Sequence, residues 1–313
     1  MRGVRSVAVI FFSTLIAAWG AAAQGVVESP KVLSVIDCAP NQITVYPGSK
    51  IVSTDELKQT DSAVDKLLAN ISNNRTSCRL LVVVRPGSVK IYRQIRERIG
   101  RSSIDAHCEP VDADFVVRLS GNAVTGLTVP RPMLKPPLPT APPSHGGPVK
   151  PVVRAVVSSK SPVYYECRDN EVFFVDKEGL QAQVDKLLST VGPGARGSNM
   201  EQFLKAIQTH EVGNEYYAVD LSFLMVSMMA LLPRPGIHGE KPTDLDKVGG
   251  AFRTALAQPD ARSRFVVFLL RDDGFAVFHR ARAIVEGMGL EATWELLGRD
   301  EPIKFGIQEA TIR

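Results

Sequence analysis

The sequence predicts an α+β protein of two tandem ββαβαβ modules, each a mixed sheet with helices packed on one face. Two observations predict this architecture: one pattern of apolar runs and turns occurs in both halves, and a proline-rich segment lies between them. A chain of 313 residues is long enough for two separate cores. We expect module 1 at 24–129, a Pro-rich linker at 130–158 and module 2 at 159–313, with an insertion at about 189–260.

The first 23 residues have the pattern of a secretory signal peptide. Arg2 and Arg5 form a basic start, residues 7–19 are largely apolar, and residues 21–23 are the small alanines that a signal peptidase requires. This pattern predicts export to the periplasm or the outside, with Gln24 as the mature N-terminus. The alternative is a retained membrane anchor, because the apolar segment approaches the shortest length that spans a bilayer.

Each half begins with a predicted β-hairpin. Residues 32–38 and 42–46 form its arms in the first half, and residues 162–167 and 171–175 form them in the second. β-Branched and aromatic residues on the arms, with turn formers between them, are typical of a hairpin. The first arm ends in a cysteine in both halves, which places the two hairpins in the same frame.

A second match between the halves is longer and contains no gap. Residues 80–85 (LLVVVR) correspond to residues 266–271 (VVFLLR), and apolar runs of this kind indicate strands that are buried on both faces. A turn, an amphipathic helix and a closing strand at 106–109 or 292–295 follow in each half. Equal spacing of matching elements predicts that the modules arose by duplication.

The helix before this strand has two candidates in the second half. The sequence VDKLL occurs at 64–68 and again at 184–188, which favours a helix there. A second helix is predicted from Thr243, a good N-cap, to about Ala257, as close to its strand as the helix of module 1. The sequence leaves open which of the two is equivalent. The insertion also contains a glycine-rich loop at 192–197, a helix at 201–208 and a β-like stretch at 216–223.

The segment between the modules is rich in proline. Residues 130–151 contain nine prolines, a composition that favours an extended polyproline conformation over a sheet. We therefore expect a semi-rigid spacer, with a proline-rich partner motif as the alternative.

Composition excludes some classes of function. Apolar residues make up 44% and charged residues 22% of the chain, as in ordinary globular proteins. The net charge of +4 is small, and the basic residues are scattered among acidic ones. Nucleic-acid binding is therefore not predicted.

The chain has four cysteines, and their spacing excludes a CxxC motif of the zinc-ribbon or thioredoxin kind. In an oxidising compartment they permit three complete disulfide pairings, or one bridge with two free thiols. The pairing is left open. The cysteines are Cys38, Cys78, Cys108 and Cys167.

The element order, behind one N-terminal hydrophobic segment, resembles the periplasmic domain of the TolR/ExbD biopolymer-transport family. The hairpin at 162–175, the helix at 178–188 and the block 265–297 carry this resemblance. The second half is also similar to uncharacterised exported or envelope proteins of the Planctomycetes type, through RDDGF at 271–275 and PIKF at 302–305. The resemblance implies a shared fold and the binding of envelope material or another protein. Residues 7–23 lack the acidic residue of the TolR/ExbD membrane helix, which argues against proton-driven coupling.

No residue is predicted to be catalytic, to bind a cofactor or to bind a metal. His210-Glu211 begins like the zinc motif HExxH, but Asn214 stands where the second histidine is required. The glycines at 192–197 lack the GK[ST] ending of a phosphate-binding loop.

Two further pairs of residues have structural interpretations. Asp272 and Asp273 follow a strand, where active sites of α/β sheets often lie. The first half has other residues there, so we predict a turn and a helix cap, with Ser88 as the uncharged cap of module 1. Arg96 and Arg282 match in position and predict either a surface ion pair or an anion contact.

The sequence thus predicts a non-enzymatic exported protein of the cell envelope that binds a protein or an envelope polymer, or associates with itself. Contact with a membrane is expected only if the N-terminal segment is retained. The alternative is a hydrolase with its site in the insertion of module 2, because an insertion in one copy indicates a specialised half.

Overall fold

The protein is described by a computed structural model over residues 32–75, 78–102, 104–120, 123–128, 160–191, 200–247, 249–258 and 263–306. It is an α+β structure with mixed sheets and several helices. The chain divides into two compact units, residues 1–157 and 158–313. The predicted signal peptide, the predicted linker and the glycine-rich loop lie outside the described residues. Among the helices of the described ranges, none has both the length and the apolar character to cross a membrane.

The first unit contains a five-stranded mixed sheet in the order β3-β2-β1-β4-β5, which we call the first sheet. Strand β1 is parallel to β4 and antiparallel to β2, and β5 is parallel to β4. A separate antiparallel hairpin consists of β6 and β7. The elements are β1 (Val32–Ala39), β2 (Gln42–Tyr46), β3 (Lys50–Ser53), α1 (Thr54–Lys58), α2 (Ala63–Asn73), β4 (Cys78–Val84), α3 (Val89–Arg101), β5 (Ala106–Pro110), β6 (Phe115–Ser120) and β7 (Ala123–Thr128).

The two faces of the first sheet are covered differently. On one face lie α2 and α3, joined by an ion pair between Asp65 and Arg98. The isoleucines of α3 recur every four residues, and this periodicity places them together on its buried side. The other face carries a small apolar cluster that includes Val35 and Val83 of the sheet and Val117 of β6.

The second unit contains a four-stranded mixed sheet in the order β13-β12-β8-β9, which we call the second sheet, and a small antiparallel sheet in the order β10-β11-β14. A 3₁₀ turn at Leu221–Val226 connects β10 to β11. The elements are β8 (Ser161–Arg168), β9 (Glu171–Val175), α4 (Lys177–Val191), α5 (Met200–Thr209), β10 (Tyr217–Asp220), β11 (Met228–Pro233), α6 (Pro242–Leu245), α7 (Ala251–Leu256), β12 (Arg264–Leu270), α8 (Phe275–Gly287), β13 (Ala292–Leu296) and β14 (Ile303–Gly306).

The first and second sheets agree in their strand pairing. Cys38 of β1 lies opposite Val84 of β4, and Cys167 of β8 lies opposite Leu270 of β12. The hairpins and the outer parallel strands keep the same relative registers. Positions of the two sheets can therefore be compared residue by residue.

The helices of the second sheet lie on both of its faces, so the predicted placement on one face is wrong for this unit. Leu180 and Val184 of α4 belong to the same core cluster as Leu269 of β12. The ring of the neighbouring Phe268 lies 5.5 Å from that of Phe278 in α8. Because successive side chains of a strand point to opposite faces, α4 and α8 are on opposite sides.

The single helix predicted at 243–257 is wrong, since two short helices occupy this stretch. Gly249, at φ +90°, and Gly250 separate α6 from α7. The N-cap of α6 is Lys241, with Pro at the first helical position, so Thr243 is not the cap. The Phe252 ring of α7 lies 6.5 Å from that of Phe268, on the face that α8 covers. Of the two candidate helices, α7 is therefore the one that shares a face with α8, as α2 does with α3.

Candidate functional site

An acid–arginine pair lies at the carboxyl ends of the parallel strands of the first sheet. Arg85, directly after β4, donates from Nε and Nη2 to the two oxygens of Asp37 in β1, both at 2.8 Å. Its Nη1 donates to the carbonyl oxygen of Ala113 at 2.9 Å. Such two-point pairs fix the carboxylate in place. The pKa of Arg85 is raised, first by its hydrogen bonds to Asp37 and in smaller part by the charge of Asp114.

The second sheet has the same pair at the same register. Glu166 precedes Cys167 as Asp37 precedes Cys38, and Arg271 follows β12 as Arg85 follows β4. The Nε of Arg271 donates to Oε1 of Glu166 at 2.5 Å, and its Nη1 donates to the carbonyl oxygens of residues 298 and 299. Both side chains are almost fully buried. Sheet geometry thus places one kind of ion pair in both units.

Glu166 also accepts hydrogen bonds that Asp37 lacks. The Nε of Arg168 and the hydroxyl of Tyr217 each donate to its Oε2 at 2.9 Å. The guanidinium of Arg168 lies 3.8 Å from the ring centre of Phe173. Burial, followed by the charge of Glu166, raises the pKa of Tyr217, so the phenol stays protonated as a donor. Tyr217 belongs to the predicted insertion, which therefore completes this cluster.

A cavity of about 320 Å³ lies beside the Asp37–Arg85 pair. Thr44 is opposite Asp37 in the hairpin, whereas Phe173 is opposite Glu166. Ala39 has the register position that Arg168 has in the second sheet. Small side chains thus leave open in the first sheet the space that two large ones occupy in the second. We call this cavity the first-sheet cleft; its lining is Asp37, Ala39, Pro40, Gln42, Thr44, Arg85, Pro86 and Ala113.

The predicted capping roles of the turn residues are wrong. The N-cap of α8 is Gly274, which has no side chain to cap with, and Asp273 instead accepts a hydrogen bond from the backbone N–H of Asp169 at 3.2 Å. Ser88 does occupy the N-cap position of α3, but its hydroxyl bonds to the backbone of Arg85 and not to the helix. A Cβ at Gly274 would lie 2.1 Å from the Cys167 carbonyl oxygen, so this glycine allows a close approach and does not need positive φ.

The other sequence candidates lie apart from the two acid–arginine pairs. Glu211 pairs with Arg234 at 2.7 Å, and His210 is exposed at the end of α5. Arg282 pairs with Glu286 at 2.8 Å and lies over the Trp294 ring, which supports the ion-pair interpretation over the anion contact at this position. Within the described residues, no group of His, Cys, Asp and Glu is arranged to hold a metal ion.

The cysteines are free thiols in the structure, with none of the disulfides that the sequence permits. Cys38, Cys108 and Cys167 are buried, and Cys78 is half-buried. Burial raises the pKa of each buried thiol, that of Cys108 to about 12. Such thiols stay protonated and are poor nucleophiles.

The matching strands of the sequence locate the two arginines at the strand ends, but their acidic partners were not predicted. The sequence contains a signal for them: Asp37 and Glu166 are acidic residues inside runs that otherwise have the pattern of a buried strand. An acid in such a run requires a cationic partner, because an unpaired buried charge is costly.

Comparison with known proteins adds no assignment: no family model, curated protein or solved structure matches the chain.

Proposed function

We propose that the chain is a non-enzymatic, exported binding protein of the cell envelope, built from two tandem ββαβαβ modules that arose by duplication. Its ligand site is the first-sheet cleft. A Pro-rich linker joins the modules, and the N-terminal segment directs export. The resemblance to the TolR/ExbD periplasmic domain is part of the same proposal.

One observation carries the proposal: the same buried pair is open to a cavity in one sheet and closed in the other. Duplication accounts for equal registers in β1, β4 and β5 and in β8, β12 and β13. After duplication, the unit that kept a cleft beside the pair is the one suited to a ligand. A volume of about 320 Å³ falls in the range of small ligand sites, about 300–1,000 Å³.

The chemistry of the cleft favours recognition over catalysis. Both oxygens of Asp37 accept hydrogen bonds from Arg85, so the carboxylate is held in one orientation. Thr44 carries a hydroxyl in the described lining. That lining contains neither a histidine that could act as a base nor a cysteine that could act as a nucleophile. A fixed charge pair with an amide and a hydroxyl beside it is a hydrogen-bonding surface for a partner.

Site-specific photo-crosslinking tests the proposal. A photoreactive amino acid at Gln42, in the cleft, should capture an envelope component when the full chain is expressed in its own host. The same amino acid at Asn170, in the hairpin turn of the second sheet directly before the position that matches Gln42, is the control, because both positions are exposed.

Capture at position 42 and not at 170, from the envelope fraction, is the expected result. Equal capture at both positions would show that the cleft is not the binding site. N-terminal sequencing of the same material tests export, since a mature protein should begin at or near Gln24. Retention of Met1 would favour the membrane anchor.

A further inference from the structure

The second sheet contains, as part of its own chain, the kind of group that the first-sheet cleft is shaped to receive. In the second sheet, Arg168 fills the space beside the acid–arginine pair and bonds to Glu166. In the first sheet, the residue at the register position of Arg168 is Ala39, whose side chain is a single methyl group. Arg168 therefore shows which chemistry this site accepts when it is filled.

We propose that the first-sheet cleft binds a basic side chain, arginine foremost, that a partner polypeptide inserts beside Asp37. This inference rests on the proposed function and names the chemistry of its ligand. The guanidinium of the partner takes the place that Arg168 has in the second sheet.

The hydrogen-bonding capacity of Asp37 supports this ligand. Each of its oxygens accepts one hydrogen bond from Arg85, whereas a carboxylate offers about four lone-pair sites. In the second sheet, the corresponding capacity of Glu166 is used by Arg168 and Tyr217. A ligand with N–H donors would use the lone-pair sites of Asp37 that Arg85 does not occupy.

Charge supports the same ligand. The positive charge of Arg85 is matched by Asp37, and the charge of Asp114 also acts on Arg85. Asp114 adjoins Ala113 of the lining, so the three groups carry one net negative charge near the pair, which favours a cation. A neutral donor of equal shape lacks this attraction.

The walls suit the stem of a long basic side chain. Pro40 and Pro86 line the cleft with apolar surface, against which the methylenes of arginine or lysine can pack while the charged end reaches the carboxylate. Gln42 and Thr44 add polar groups in the same lining. The combination of an acid, apolar walls and a polar rim matches a basic side chain better than a sugar or an anion.

An NMR titration of the full mature chain tests the proposal with two peptides. Both are acetylated and amidated pentapeptides of glycine, with arginine at the centre of one and its neutral isostere citrulline at the centre of the other. We expect shifts at the Gln42 and Thr44 amides, at least tenfold tighter binding of the arginine peptide, and weaker binding as salt screens the charges. Equal affinity for the two peptides would overturn the proposal.

A variant supplies the second arm. Ala39→Arg with Thr44→Phe reproduces the filled arrangement of the second sheet. We expect it to lower the affinity for the arginine peptide at least tenfold. Gln59→Arg adds the same charge at an exposed position beyond α1 and should leave affinity unchanged. Undiminished binding to the folded double variant would also overturn the proposal. The wild-type comparison of peptides decides the question if the double variant does not fold.

The outcomes separate the two proposals. Cross-linking at Gln42 together with equal affinity for arginine and citrulline peptides would keep the cleft as a binding site and reject its cationic ligand. A preference for arginine without an envelope partner would keep the ligand chemistry and reject the envelope function.

Discussion

The first and second sheets hold the same acid–arginine pair in two different surroundings. In the first sheet the pair borders a cavity, with 9% of Asp37 and 14% of Arg85 side chains exposed. In the second sheet, Glu166 and Arg271 are 0% and 2% exposed and share their space with a second arginine. The comparison teaches that strand register fixes the pair, whereas two hairpin positions decide whether the space beside it is open.

The elements that pack on the face carrying the pair also differ between the two sheets. In the first unit, the small cluster around Val35 and Val117 covers the sheet beside the pair. In the second unit, a large core formed by α4, α5 and the small sheet lies there and brings the hydroxyl of Tyr217 to Glu166. The elements that cover this face of the second sheet thus place its pair in a core, whereas the pair of the first sheet borders a cavity.

The largest difference is expected when the acid loses its charge. Glu166→Gln leaves two buried guanidiniums with reduced compensation, which should cost about 3–5 kcal/mol of unfolding free energy. Asp37→Asn should cost less, about 1–3 kcal/mol, because water in the cleft can solvate Arg85. Hydrogen exchange of β12 and β4 amides in the full chain measures both. A larger loss for Asp37→Asn would reverse our view of which pair is in the core.

Removal of one hydroxyl is expected to have the next largest effect. Tyr217→Phe deletes a hydrogen bond to a charged acceptor and should cost about 1.5–3 kcal/mol. Urea unfolding of the mature chain from Gln24, in which Trp294 is the single tryptophan, measures this loss by fluorescence. Tyr216→Phe is the control, because Tyr216 is only partly buried and its neighbour makes the bond to Glu166.

Alkaline pH should destabilise the second unit through the hydroxyl of Tyr217. The pKa of Tyr217 is raised by burial, and that of Cys167 is raised by burial as well. A raised pKa means that the stabilisation is complete below the unfolded value, about 10 for tyrosine and 8.5 for cysteine, and is lost as pH rises above it. We expect the second unit to lose stability from about pH 9 upward, and Tyr217→Phe to reduce that slope. An unchanged slope would exclude Tyr217 as its source.

Opening the filled site should have a smaller effect. Arg168→Ala removes a cation–π contact with Phe173 and one donor to Glu166, which remains paired with Arg271, so we expect a loss of about 1–2 kcal/mol. Urea unfolding followed by Trp294 fluorescence measures this loss of unfolding free energy. A loss as large as that for Glu166→Gln would mean that Arg168, rather than Arg271, is the main partner of the acid.

The smallest effect is expected at the turn before α8. Asp272→Asn with Asp273→Asn should change the unfolding free energy by no more than about 0.5 kcal/mol, because an asparagine oxygen can still accept the bond from Asp169. Ligand capture at the first-sheet cleft should be unaffected. A loss of binding above about a hundredfold in the folded variant would give these aspartates a functional role.

Much of the fold was predictable from local patterns, and much of the site was not. The runs at 80–84 and 266–270 are strands of the two sheets, because continuous apolar β-branched and aromatic residues identify a strand buried on both faces. The acid–arginine pairs join residues 48 and 105 positions apart, so they depend on sheet pairing that no local pattern contains.

Two local predictions failed for physical reasons. The helix predicted at 243–257 breaks where Gly249 adopts positive φ, a conformation that its periodic apolar residues do not reveal. The caps predicted at Asp273 and Ser88 failed because nearby backbone groups of the hairpin and the strand end compete for the same side chains.

The buried thiols turn each sheet into its own reporter of opening. Cys38 and Cys167 lie at the same register and are fully buried, and alkylation requires an exposed thiolate, so each reacts only when its strands separate. Labelling with a thiol reagent, followed by mass spectrometry, would then measure the opening rates of the two sheets within one sample. Half-buried Cys78 would act as the fast internal standard.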